Sequence, residues 1–200
     1  MNIPNIITVA RIFAVPLVVW LIINGHVLPA FWVFVAAGVS DGVDGFIAKR
    51  FRQQTLLGSY LDPLADKALL VSIYVSMGLQ LYVPSWLVIM VVSRDILIIS
   101  AVILSWMMDR AVAMKPLYIS KANTVGQIML AALVLASVGY GFDLDGVRSV
   151  AVVGVAVLTI LSAVAYLIDW LDHMAATEAD KMKLIRPPSP PSSGAEPNRE

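Results

Sequence analysis

Six long apolar stretches govern what this chain can fold into. They run roughly over Ile6–Ile23, Ala30–Ala48, Leu64–Val83, Trp86–Met108, Asn123–Tyr140 and Val150–Trp170. Each has about the 20 residues a helix needs to cross about 30 Å of hydrocarbon. The breaks carry turn residues: Asn24-Gly25 with Pro29, Val83-Pro84-Ser85, and Gly139-Tyr140-Gly141 with Asp143 and Asp145. With 59% hydrophobic and only 14% charged residues in 200, the chain has more apolar surface than a soluble core of this size uses. The expected fold class is therefore all-α, an integral membrane bundle of six transmembrane helices. Arg11 lies inside the first stretch, which is long enough to span, so that stretch reads as an uncleaved first helix.

Lys and Arg set the orientation. Lys49, Arg50 and Arg52 fall between the second and third stretches, Arg110, Lys115 and Lys121 between the fourth and fifth, and Lys181, Lys183 and Arg186 after the sixth. The opposite loops, near His26, Pro84 and Asp145, contain only Arg148. Both termini are accordingly expected in the cytoplasm, and a bacterial inner membrane is the expected setting. Residues 1–175 form the membrane domain, and 176–200 a polar, Pro/Ser-rich, largely disordered tail. A net charge of zero gives no support to nucleic acid as a partner, and the absence of cysteine excludes disulfides and thiolate metal sites.

Against this apolar background, residues 41–66 read D-G-V-D-G-F-I-A-K-R-F-R-Q-Q-T-L-L-G-S-Y-L-D-P-L-A-D. A carboxylate at membrane depth costs about 2.5–3.5 kcal/mol on insertion scales, so such acids have partners and functions. No basic residue separates Asp41 from Asp44 or Asp62 from Asp66, so the acids call for an external cation. At about 100° per residue, Asp41, Asp44, Gly45 and Ala48 share one helical face, where a ligand can approach the backbone. Gly58, Asp62 and Asp66 line up if their helix starts early, whereas Pro63 favours Asp62 as N-cap. Oxygen ligands without His or Cys suit hard ions, Mg²⁺ or Mn²⁺, and two such ions stabilise both oxygens in displacement at phosphorus.

The pattern D-x2-D-G-x2-A-R-x8-G-x3-D-x3-D is that of the CDP-alcohol phosphatidyltransferases. The chain resembles it at Asp41, Asp44, Gly45, Ala48, Gly58, Asp62 and Asp66, with Lys49 in place of the usual Arg and Arg50 beside it. Lys keeps the charge but not the fork geometry of Arg. The resemblance implies that an acceptor hydroxyl attacks the β-phosphorus of CDP-diacylglycerol, releasing CMP, with the active site facing the cytoplasm. It implies that Asp41, Asp44, Asp62 and Asp66 hold two Mg²⁺ or Mn²⁺ ions, with Asp66 also the catalytic base. The CDP side would be bordered by Asn5, Thr8, Asp41, Gly45, Ala48, Lys49 and Gly58.

Ser120, Asn123, Thr124 and Gln127 share a face near the cytoplasmic end of the fifth stretch, flanked by Lys121. They read either as interhelical hydrogen bonding or as an acceptor pocket. The run Ser120-Lys121-Ala122-Asn123-Thr124-Val125-Gly126-Gln127 resembles the S-K-x-N-T-x-x-Q segment of eukaryotic-type cardiolipin synthases, which implies phosphatidylglycerol as acceptor. The similar phosphatidylglycerophosphate synthases, which use glycerol-3-phosphate, are the alternative. Arg94-Asp95 is either a self-compensating ion pair or, through Arg94, a cation for a substrate phosphate. Arg94, Lys121, Asn123 and Gln127 are thus the acceptor-side candidates. Membrane lipids are expected partners, and a homodimer stays open. Outside the family, a membrane prenyltransferase or a cation transporter would also carry intramembrane acids.

Overall fold

A computed structural model of the chain describes the backbone of residues 3–51, 56–107 and 118–185, and the side chains of residues 13–40, 67–100 and 118–171. Six helices follow one another, with no strand among the described residues: α1 (Ile3–Ile23), α2 (Val27–Phe51), α3 (Leu56–Leu79), α4 (Ser85–Met107), α5 (Tyr118–Tyr140) and α6 (Asp145–Ile185). Each expected stretch lies largely within one helix. Most helices run past the apolar residues that signalled them, because the backbone ladder continues through polar ends. α3 is instead displaced toward the N-terminus, starting at Leu56 and ending at Leu79. Pro63 therefore lies inside α3, Asp62 is not its N-cap, and Gly58, Asp62 and Asp66 stand at successive four-residue steps of one helix. α6 continues past the expected boundary at 175 to Ile185, and residues 186–200 of the expected tail lie outside the described residues.

The helices close into a ring, α1–α2–α5–α6–α4–α3 and back to α1, with α3 and α5 also meeting across its middle. Leu70, Ile73, Tyr74 and Met77 give α3 a buried stripe at the i, i+3, i+4, i+7 spacing of a helix face. On α5 the stripe Leu130, Val134 continues toward the N-terminus as Asn123 and Gln127, so two amides occupy core positions. The Tyr74 hydroxyl donates to the Gln127 backbone carbonyl at 3.0 Å, at the α3–α5 crossing.

The turns after α1, α3 and α5 are built alike. In each, a residue in the left-handed region closes the helix: Gly25 at φ 77°, Leu81 at 60° and Gly141 at 72°. The next amide reaches back to a carbonyl one turn earlier, His26 to Leu21 at 2.8 Å, Tyr82 to Met77 at 2.9 Å and Phe142 to Ser137 at 2.9 Å. The Gln80 side-chain amide donates to the Ile23 carbonyl at 2.9 Å, and the Phe31 and Tyr140 rings lie 6.3 Å apart, so the three turns gather at one end of the bundle. Gly139 packs there on the Leu28 backbone, where an added Cβ would sit 3.0 Å from the Leu28 Cα.

The outward surface is apolar, with Phe13, Ile89, Val150 and Val153 among the exposed side chains. Exposed Trp20, Trp32, Trp86 and Tyr140 ring the end that holds the three turns, as aromatic side chains do at a membrane interface. Tyr118–Tyr140 and Asp145–Leu171 are each long and apolar enough to cross a membrane.

Candidate active site

Asp41 and Asp44 lie one turn apart toward the C-terminal end of α2, and Asp62 and Asp66 one turn apart toward the N-terminal end of α3. Their side chains, with those of Asn5, Thr8, Gly45, Ala48, Lys49 and Gly58, lie outside the described residues. Among the described residues no three potential metal ligands come together. An all-carboxylate set repeated on two helices fits hard divalent cations by its chemistry.

The described space next to these acids is a cavity of about 520 Å³, within the range of small-molecule sites. It begins two residues before Asp41, at Val39, and immediately after Asp66, at Lys67. α2 lines it with Phe34, Val35 and Val39, and α3 with Leu69 and Leu70. Its polar wall is Lys67, Asp95, Thr124 and Gln127, and Ile128 and Ala132 continue it along α5.

Behind the polar wall a chain of charge-assisted bonds ties four helices. The Lys67 ammonium on α3 donates to Asp95 Oδ1 on α4 at 2.9 Å, and the same oxygen takes Arg94 Nη1 at 2.6 Å. Arg94 Nη2 donates to Ser120 Oγ on α5 at 2.5 Å and to Ser162 Oγ on α6 at 2.6 Å. The guanidinium carbon lies 5.7 Å from the centre of the Tyr166 ring, within cation–π reach. Arg94 is 4% exposed and Asp95 3%, a depth at which either charge alone would be expensive. A second tie, Thr159 Oγ1 donating to Asn123 Oδ1 at 2.9 Å, joins α6 to α5.

The polar face of α5 is thus divided among three neighbours. Ser120 serves Arg94, Asn123 serves Thr159, and Thr124 and Gln127 line the cavity. Of the acceptor-side candidates, Gln127 reaches the cavity wall. Arg94 forms the ion pair with Asp95, and exposed Lys121 has its ammonium 6.0 Å from the Tyr118 ring. Sequence reasoning missed Lys67, Thr159, Ser162 and Tyr166. The α6 trio had a signal, since Thr159, Ser162 and Tyr166 recur at helical spacing on one side of an apolar helix. Lys67 had one too: a cation directly following an acid within an apolar stretch.

Residues 1–166 match the sequence signature of the CDP-alcohol phosphatidyltransferases. The chain belongs to that family, which sets aside the prenyltransferase and transporter alternatives. It is 34% identical over 160 residues to a chloroplastic CDP-diacylglycerol–glycerol-3-phosphate 3-phosphatidyltransferase of Oryza sativa subsp. japonica, covering 72% of this chain and 49% of that one. Over 152 residues it is 38% identical to a CMP-forming cardiolipin synthase of Homo sapiens, covering 68% of this chain and 50% of the relative. A putative cardiolipin synthase of Mycobacterium bovis is 33% identical over 130 residues, covering 63% of this chain and 60% of the relative. The chain spans about half the length of the first two of these curated relatives.

Proposed function

We propose that the protein transfers a phosphatidyl group from CDP-diacylglycerol to a hydroxyl of phosphatidylglycerol, forming cardiolipin and releasing CMP. The observation that carries this reading is that the two acid pairs stand on the two helices that flank the cavity, with Asp66 next in the chain to Lys67 of its polar wall. Family membership, the cardiolipin-synthase relatives and the Ser120–Gln127 run support it.

In this reading the acceptor hydroxyl oxygen attacks the β-phosphorus, a new P–O bond forms, the anhydride P–O bond to CMP breaks, and Asp66 takes the hydroxyl proton. Asp41, Asp44, Asp62 and Asp66 would hold two Mg²⁺ or Mn²⁺ ions, which when bound offset charge on the diphosphate. Gly45, Ala48 and Gly58 leave room for the nucleotide, with Asn5, Thr8, Asp41 and Lys49 at its border. On the acceptor side Gln127 contacts substrate, Lys121 attracts anionic lipid at the surface, and Arg94 and Asn123 hold the helices that form the pocket.

All six helices span the membrane in this reading, with both termini and the acids on the cytoplasmic side of a bacterial inner membrane. The clustering of the three turns and the aromatic ring at the opposite end supports that layout. Purified protein given CDP-diacylglycerol with phosphatidylglycerol or glycerol-3-phosphate, followed by lipid chromatography, tests the reaction. Cardiolipin is the expected product; turnover with glycerol-3-phosphate alone would assign the phosphatidylglycerophosphate synthase reaction instead.

A further inference from the structure

The polar wall of the cavity presents donors. Gln127 is 1% exposed, and its side-chain Nε2 has no hydrogen-bond partner among the described residues. A buried amide left so is costly, and the cavity it lines is where a partner would sit. Beside it the Lys67 ammonium, with three donors, gives one to Asp95. Asp95 Oδ1 is already shared by two cations, and the Thr124 hydroxyl donates to the Ser120 carbonyl at 3.1 Å. Such a wall suits anionic oxygens. The walls running on from it are hydrocarbon: Phe34, Val35 and Val39 on α2, Ile128 and Ala132 on α5.

Val39 and Ile128 line the cavity and are exposed, which marks an opening between α2 and α5, the direction from which a bilayer lipid would arrive. Among the described residues α1, which carries Asn5 and Thr8 of the nucleotide side, contributes nothing to its lining. We propose that this cavity seats the acceptor lipid: Lys67 and Gln127 donate to the oxygens of its phosphodiester, and the apolar walls of α2 and α5 hold one of its acyl chains. The assignment rests on the phosphatidyl-transfer reading above and deepens it. Glycerol-3-phosphate would meet the donors and leave the hydrocarbon walls unused, whereas a lipid acceptor sets a chain against them and its phosphodiester against the donors. Lys67 and Gly38 thereby become specificity-determining positions.

The test uses the full chain in detergent micelles, with CMP release read against CDP-diacylglycerol and two acceptors, dioleoyl and dihexanoyl phosphatidylglycerol. Gly38 lines the cavity and a Cβ built on it meets nothing within 4 Å, so Gly38→Leu adds bulk at the lining without a clash at the backbone. By crowding the space for a long chain, Gly38→Leu is expected to raise KM for the dioleoyl acceptor about tenfold and to leave the dihexanoyl acceptor and CDP-diacylglycerol within about twofold. Lys67→Gln, which leaves Asp95 paired with Arg94, is expected to raise KM for both acceptors about tenfold with KM for CDP-diacylglycerol unmoved, and Lys67→Arg to restore most of the loss. A KM rise for CDP-diacylglycerol in Gly38→Leu would hand the cavity to the donor and overturn the proposal, as would an equal rise for both acceptors or none. Wild-type turnover with glycerol-3-phosphate alone would instead overturn the function reading, and it shows before any variant is made.

Discussion

A single oxygen of Asp95 receives both the Lys67 ammonium and the Arg94 guanidinium, and the two contacts differ in weight. The Arg94 side chain is 3% exposed and that of Lys67 33%, so water screens the lysine contact and hardly reaches the arginine. Asp95→Ala leaves a buried guanidinium without its carboxylate and should destabilise the protein by about 3–5 kcal/mol. Lys67→Gln keeps the buried pair and should cost less than about 1 kcal/mol. Thermal unfolding in detergent, followed by tryptophan fluorescence, compares them; equal losses would show that Lys67 is as much a structural residue as Arg94. At the acid positions the expectation is functional. Asp41→Ala, Asp44→Ala and Asp62→Ala should each abolish turnover, as should chelator. Asp66→Asn, which keeps shape but not basicity, should lower turnover by about 10²–10⁴-fold while CDP-diacylglycerol binding persists. Full activity in any alanine variant would refute two-metal chemistry at this set.

Among the elements, the turn after α3 breaks a pattern its counterparts keep. Gly25 and Gly141 close α1 and α5 in the left-handed region, where a side chain is a liability, yet Leu81 takes that position at φ 60°. Leu81 is 82% exposed, so little packing there compensates the strain. Leu81→Gly should raise stability by about 1 kcal/mol, and Gly25→Ala should lower it by a similar amount. A fall in melting temperature for Leu81→Gly would mean that the leucine side chain anchors the turn in lipid. The sequence marked the first and third of these turns through Gly25 and Gly141 and blurred the second, where the apolar run carries on through Leu81 and Tyr82 to Val83. The same limit applied within helices. Apolar length located α1 to α6, and the i, i+3, i+4 spacing placed Asp41 with Asp44 and Gly58 with Asp62 and Asp66, because those relations are local. The early start of α3 could not be read past Pro63. Nor could the three-way division of Ser120, Asn123 and Gln127, which depends on Arg94 and Thr159 from other helices and on the cavity beside α2 and α3.

For the whole molecule, the α3–α5 contact divides the ring of helices in two. One half, between α2, α3 and α5, holds the cavity; the other, among α3, α4, α5 and α6, holds the Arg94 network, and Lys67 and Asp95 stand at the boundary with a place in both. The Lys67–Asp95 contact thus ties α3, the helix that carries Asp62 and Asp66, to the charged half. The proposed layout puts the acids at the cytoplasmic end and the three turns at the other. The chain has no cysteine, so single cysteines report topology without background. Tyr118, the first residue of α5, and Asp143, three residues past its end, are both exposed. In right-side-out vesicles an impermeant maleimide should label Asp143→Cys at once and Tyr118→Cys only after permeabilisation. The labels should exchange order in inverted vesicles, because about 20 residues of apolar helix separate the two sites by a full bilayer. Labelling of both from one side would mean that α5 does not span, and the six-span layout would fall with it.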